Sequence, residues 1–545
     1  MRLRSIQIFA LIFTTIFLAH LPLLRLPYFW DEAGYYIPAA YEFFTSGHLI
    51  PRSVPSNAHP PLPAIYLAVW WKLSAFKPAA TRIAMLLMAA LALTCVYRLS
   101  RMLANAKVAV AVTICTAIYP VWFAQSSLAH SDLAATAFVL AGLIFYFRCV
   151  SQSGMHYTGA SIVEIQKAET RQSAEIGDVA IATTLFATAA LCKETAIIAP
   201  LALAIYDLVD HLHSRRSRPL FRSLFLVLSA LPLTLWFGYH HRVTGFFFGN
   251  PEFFSYNVSG TLTPLRIVLS LGLRLWQMLG YMNLWVLTLA TVWAMRYSAL
   301  PEKDGTERSR IALAAQYRIG AILAGNLLLF SLVGGAVLAR YLLPVYPLVI
   351  LIGISTLRRR VQEWTWAVAF IVVGFMLALF SNPLGYIPPE DNLSYGHYVI
   401  LHKQAADYLR EHFPDAHVLT AWTATDELTK PFLGYVRQAM KVVRIENFSL
   451  AELQMARMAR DQYDVALLFS TKQQPAASLL DHWPWFQTVS EKYFGFHRDI
   501  APQAAAGILG GRIIWQRRRG QQWAAIVEVD HIENAALRRA AASRR

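Results

Sequence analysis

Apolar runs of spanning length recur near residues 5–25, 82–100, 107–124, 133–150, 178–192, 194–210, 221–239, 278–295, 311–333, 341–357 and 364–382. A helix needs roughly 20 apolar residues to cross a hydrocarbon core about 30 Å thick, so the pattern predicts about eleven transmembrane helices. The run at 178–192 is short and reads as part of a bent or paired segment. Residues 62–76 are also apolar. A crossing there would flip every later segment and move the basic loops outside, so it reads as an interfacial helix with Trp70, Trp71 and Lys72 at the headgroups. The segment TLTPLRIVLSLGLRLWQM reads the same way, because Arg266 and Arg274 interrupt it.

After about residue 385 the texture changes. Short alternating runs (HVLTAW, KVVRI, DVALLF, GRIIWQ) predict strands, and YVILHKQAADYLREHF predicts an amphipathic helix. Strands alternating with helices indicate a small α/β domain. The predicted fold class is therefore a polytopic α-helical membrane protein with a C-terminal extracytoplasmic α/β domain. Residues 1–384 form the transmembrane module, with an outer first loop at 28–81, and 385–545 form the α/β domain. The terminal LRRAAASRR reads as a frayed basic tail.

Composition agrees: of 545 residues, 56% are hydrophobic and only 15% charged, and the mean hydropathy is +0.40. The formal net charge of +16 does not indicate nucleic acid, since the basic residues sit in short runs between apolar segments, as in cytoplasmic loops. With the N-terminus inside, those loops hold Arg2/Arg4, Arg98/Arg101/Lys107, Arg215/Arg216/Arg218/Arg222, Arg296/Lys303/Arg308/Arg310 and Arg358–Arg360. MRLR before the first run reads as the flank of a retained span rather than of a cleaved signal peptide. Cys95, Cys115, Cys149 and Cys192 lie in or beside apolar runs without paired spacing, and read as buried small hydrophobes.

This orientation gathers the candidate chemistry on the outer face. Asp31 and Glu32 lie just beyond the first span among Tyr28, Phe29, Trp30, Tyr35 and Tyr36. His59, Asp132, Lys193, Glu194, Arg242, Arg340 and Tyr341 each lie where an apolar run meets an outer loop. Singly each has a plainer role. Asp132 could cap a helix, His59 could fix a turn before Pro60-Pro61, Lys193 and Glu194 could pair with each other, and Arg340 could snorkel to headgroups. Together they describe a site for an anionic lipid head and a polar reactant.

FWDEAGYY after a first span, His59-Pro60-Pro61-Leu62, a span opening at Asp132, the Lys193-Glu194 break and Arg340-Tyr341-Leu342-Leu343-Pro344 resemble the GT-C glycosyltransferases. The branch they resemble holds the protein O-mannosyltransferases (family 39) and the lipid A aminoarabinose transferase. Leu62-Pro63-Ala64 follows the paired prolines where many protein mannosyltransferases have Gly-Lys. The resemblance implies a glycosyltransferase, hexosyl or pentosyl, using a polyprenyl-phosphate-linked sugar. Transfer would go, with inversion, to a hydroxyl of a lipid, glycan or protein acceptor on the outer face of a bacterial cytoplasmic (inner) membrane. It implies Asp31 as general base, Glu32 and Asp132 as catalytic partners, and His59, Lys193, Arg340 and Tyr341 at the donor phosphate. Tyr35, Glu194 and Arg242 would contact substrate. Asp31 and Asp132 could share a divalent cation (Mg, Mn or Zn). The competing class is a transporter or flippase for an anionic lipid; it requires polar groups near the midplane and internal pseudo-symmetry, and no repeat is visible.

Overall fold

The computed structural model describes residues 5–153, 162–302, 304–382, 388–472, 482–496 and 498–529. The terminal tail, Arg2, Arg4 and Lys303 lie outside them. The chain divides into a membrane unit (Met1–Leu21, Ala39–Ala75 and Thr81–Ser381) and an α/β unit (Pro22–Pro38, Phe76–Ala80 and Asn382–Arg545). The acidic segment after the first span thus clusters with the C-terminal residues.

Through the membrane unit run α1 (Ser5–His20), α2 (Ile37–Ser46), α3 (Leu62–Ser74), α4 (Pro78–Leu103), α5 (Ala106–Ile118), α6 (Pro120–Gln125), α7 (Ser131–Ser153), α8 (Ile162–Cys192), α9 (Ile198–Ser214), α10 (Ser217–Leu228), α11 (Leu231–Thr244), α12 (Pro251–Asn257), α13 (Pro264–Leu279), α14 (Leu284–Ala294), α15 (Leu313–Leu332), α16 (Tyr346–Arg360) and α17 (Trp364–Phe380). Among the described residues seven helical segments are long and apolar enough to cross a membrane, with α5 and α17 as shorter apolar helices. The count falls below about eleven because backbone breaks cut several apolar runs. Pro120 separates α5 from α6. Left-handed Met282 and Asn283 (φ 49° and 64°) separate α13 from α14. The 15 residues of α16 rise only about 22 Å. Hydropathy registers composition, not breaks. All four cysteines are buried thiols.

A buried ionic knot ties five of these helices. Asp207 of α9 accepts from Tyr146 of α7 (2.9 Å), Arg222 Nε of α10 (3.1 Å) and Arg318 Nη2 of α15 (3.1 Å). Arg222 Nη1 also lies 3.6 Å from Glu175 of α8. A carboxylate this deeply buried is stable only when paired, and removing one partner of such a set costs about 3–5 kcal/mol. Asp207→Ala is therefore expected to lower the melting temperature of the detergent-solubilised protein sharply; an unchanged melt would show the knot to be dispensable.

The α/β unit carries α18 (Ser394–His412), β1 (His417–Ala421), α19 (Ala424–Thr429), β2 (Lys441–Ile445), α20 (Leu450–Met458), β3 (Val465–Phe469), α21 (Pro484–Phe494), α22 (Pro502–Leu509), β4 (Gly511–Arg519) and β5 (Gln522–Val529). The strand order is β2-β1-β3-β5-β4. β2, β1 and β3 are parallel, Leu419 facing Val443 and Ala466; β5 runs antiparallel to β3 and forms a hairpin with β4. Every residue of β3 is buried, as expected for a strand covered on both faces.

Candidate active site

In the membrane unit, α7 opens at Ser131 and puts Asp132 in its first turn, where a carboxylate complements the helix dipole. α8 stops at Cys192 and Lys193 is extended (φ −150°, ψ 127°), which frees its side chain to leave the helix surface. Its Nζ donates to Asp132 Oδ1. Arg340, in the 3-10 turn Ala339–Leu342, brings Nε to 3.7 Å from Asp132 Oδ2. Lys193, Arg340 and Asp132 are all buried, so two cations face one carboxylate. The Tyr341 ring lies beneath both, its centroid 4.2 Å from Lys193 Nζ and 5.8 Å from Arg340 Cζ, which stabilises cations held out of water.

Three neighbours of this cluster were not singled out in the sequence. His130 is buried, with Nδ1 2.7 Å from Gln125 Oε1 and 3.0 Å from Arg340 Nη1, and Nε2 3.3 Å from the same Nη1. Burial, then the charges of Arg340, Lys193 and Arg82, hold its pKa well below the ordinary imidazole range, so the ring is neutral. Arg82 donates to Ser127 O at 2.9 Å. Arg274 donates to Leu338 O at 2.7 Å and Gln277 Oε1 at 2.8 Å, with its guanidinium 5.5 Å from the Tyr341 centroid. The only sequence signal was position: His130 lies two residues before Asp132, and Arg274 breaks an apolar run.

Lys193 and Glu194 diverge rather than pair: Glu194 Oε2 lies 3.2 Å from His59 Nδ1. The His59 ring meets Phe253 edge-on at 5.6 Å. Arg242 is exposed in the last turn of α11. Beside it, His240 is buried, 2.5 Å from Ser56 Oγ, and Asn250 donates to Ser56 O, which fixes the approach to His59. A small, partly open cleft lies against the cluster. Asp132, Lys193, Asn326 and Tyr341 give it polar groups, and Ala135, Val139, Ile198 and Phe330 an apolar wall.

In the α/β unit, Asp31 is half-buried and Glu32 fully buried. Glu32 Oε2 accepts the Phe29 N–H at 2.8 Å, so this carboxylate closes the turn that carries Asp31. Residues Glu32–Tyr36 form a single π-helical turn, and Tyr35 meets Tyr36 edge-on at 5.6 Å. Glu390, buried in the 3-10 turn Pro389–Asp391, brings a carboxylate oxygen within 4.8 Å of one of Asp31. Asp132 stands in a different charge setting. Its oxygens face Lys193 and Arg340, which offset the negative charge a dication would need. The carboxylate pair in the α/β unit, Asp31 and Glu390, offers hard oxygen donors at a spacing that fits a divalent ion.

No family model and no curated protein matches the sequence. Among solved structures, the chain superposes on ArnT from Cupriavidus metallidurans bound to undecaprenyl phosphate with a TM-score of 0.51 and 16% identity, covering 96% of this chain and 97% of that one. The chain has the GT-C fold. The apo form of the same ArnT gives a TM-score of 0.49 at 15% identity over 94% of this chain and 97% of that one. The archaeal oligosaccharyltransferase AglB from Archaeoglobus fulgidus, in complex with an inhibitory peptide and a dolichol-phosphate, gives 0.43 at 12% identity over 96% of this chain and 74% of that one. Within the GT-C fold of this chain, the Asp132 cluster belongs to the membrane unit and the Asp31 turn to the α/β unit.

Proposed function

We propose that the chain is an integral-membrane glycosyltransferase that moves a sugar from a polyprenyl-phosphate donor to an acceptor hydroxyl, acting at the outer face of a bacterial cytoplasmic membrane. One observation carries this reading: Lys193 and Arg340, both buried, converge on Asp132 beside a cleft with an apolar wall. Two buried cations next to hydrocarbon suit a phosphate esterified to an isoprenoid. The fold shared with a protein solved with undecaprenyl phosphate supports the same substrate class.

Asp31 is assigned as the general base, taking the proton of the acceptor hydroxyl as its oxygen attacks the anomeric carbon. The bond from that carbon to the phosphate oxygen breaks, the configuration inverts, and polyprenyl phosphate leaves with increased negative charge. Lys193 and Arg340 stabilise that charge without transferring a proton, Arg340 through its planar fork. Asp132 orients both cations, and Tyr341 supports them from below. His59, Glu194, Tyr35 and Arg242 are assigned to substrate contact. Asp31 and Glu390 are the pair that would hold a divalent cation, which when bound would supply Lewis-acid charge neutralisation.

Undecaprenyl phosphate carrying radiolabelled mannose or aminoarabinose, incubated with the purified protein and membrane extract, tests the proposal. Label should move to an acceptor, and EDTA should slow it if the carboxylate pair holds a metal. Movement of intact donor across vesicle membranes without transfer would instead establish a flippase.

A further inference from the structure

In an open α/β sheet, ligands bind beyond the carboxyl ends of the strands where the chain reverses its direction of winding. Here β1 leads through α19 to β2, and β2 leads back through α20, past β1, to β3. The reversal therefore lies between β1 and β3, where Trp422 and Thr423 follow β1. The chain's own segment Tyr28–Gly34 packs against the residues that follow β1. Tyr28 N–H donates to Leu433 O at 3.3 Å, and Tyr28 O accepts from Tyr435 Oη at 2.9 Å. Phe29 meets the Tyr398 ring edge-on at 5.3 Å. Trp30 meets Tyr398 at 5.6 Å and Trp422 at 5.1 Å. A Cβ at Gly34 would lie 2.5 Å from the Trp422 indole.

Behind these rings runs a buried polar chain. Tyr398 Oη donates to Thr423 Oγ1 (2.5 Å), and Thr423 Oγ1 donates to Glu427 Oε1 (2.9 Å). His402 Nδ1 donates to Glu427 Oε2 (2.6 Å), while its ring stacks on Tyr398 at 3.8 Å. The acceptor-only carboxylate at the end sets the direction of every donor in the chain. Tyr398 is thus locked from behind while its front edge holds Phe29 and Trp30. Trp30 has φ +41°, a left-handed conformation costly for a bulky side chain and kept only where surroundings enforce it. The next residue is Asp31.

We propose that the α/β unit is the positioning element of the transferase. The Tyr398–Thr423–Glu427–His402 chain, together with Trp422, holds Trp30 in its left-handed conformation and so aims the Asp31 carboxylate. This rests on Asp31 being the base. Tyr398, Thr423, Glu427, His402 and Trp422 are positioning residues and touch no substrate.

The full-length protein in detergent tests this by hydrogen exchange and by turnover in the labelled-donor assay, with Trp422→Ala, Trp422→Phe, Tyr398→Phe and Asp31→Asn compared. Trp422→Ala should raise exchange in the peptide covering residues 28–36 by about tenfold, leave β1 and β3 protected, and lower turnover by about a hundredfold, with undecaprenyl phosphate binding retained. Trp422→Phe should recover most of both, and Tyr398→Phe should give a smaller change in the same direction. Unchanged exchange at 28–36 in Trp422→Ala overturns the proposal. So does a loosened segment with full turnover, provided Asp31→Asn is inactive. If Asp31→Asn is itself active, the base assignment has failed instead. Should Trp422→Ala also unprotect the strands, Tyr398→Phe decides, and wild-type exchange and turnover in it overturn the proposal.

Discussion

Asp31→Asn is expected to lower sugar transfer by about 10²–10⁴-fold, the range that positioned general bases contribute. The amide has the size of the carboxylate and keeps one acceptor oxygen, but it cannot take a proton at neutral pH. Asp31 is half-buried, and the turn carrying it is closed by Glu32 accepting the Phe29 N–H, so the fold should survive. The check is a pair of measurements: turnover of the labelled donor, and binding of undecaprenyl phosphate by calorimetry. Lost turnover with binding intact is the expected outcome. Near-normal turnover would remove Asp31 from the base role. A variant that neither binds nor melts normally would show the side chain to be structural.

Lys193→Met should have the larger effect on affinity. Nζ of Lys193 donates to Asp132 Oδ1 and lies over the Tyr341 ring. Truncating one partner of a buried hydrogen-bonded charge pair costs about 2–5 kcal/mol, so undecaprenyl phosphate should bind at least ~30-fold more weakly. The thermal melt should also fall, because Asp132 would keep only the longer contact to Arg340 at 3.7 Å. The double variant Lys193→Met/Asp132→Asn separates the two effects. It should recover much of the stability, since no carboxylate is left buried against a missing cation, but not the affinity. Recovery of affinity as well would mean that Lys193 serves Asp132 and not the phosphate.

The remaining contrast is between what a local reading of the chain can reach and what it cannot. HVLTAW, KVVRI and DVALLF became β1, β2 and β3, and the amphipathic run near 398–413 became α18. Alternation and helical spacing are local properties, which is why they were legible. β5, at 522–529, was missed: its Gln522-Trp523-Ala524-Ala525 opening has none of the β-branched residues that marked the runs found. The apolar runs located the membrane unit, yet Pro120 divided the run 107–124 that hydropathy had drawn as one helix, and the left-handed pair Met282–Asn283 shortened the run 278–295.

Charges at the ends of apolar runs pointed to Asp132, Lys193 and Arg340 before any contact was known, because an ionic group beside hydrocarbon is costly wherever the chain goes. The partners were not legible. Glu390 reads as an ordinary loop acid until the α/β unit brings it to Asp31. Glu194 sits next to Lys193 in the chain yet turns to His59, and only the extended backbone at Lys193 makes that possible. By itself, then, the sequence determined which segments are apolar, which alternate, and where charge meets hydrocarbon, all consequences of solvation at single positions. The tertiary structure decided which charge neutralises which, and that the Asp31 turn packs against the α/β sheet; both are set by contacts between residues far apart in the chain, which no local pattern encodes.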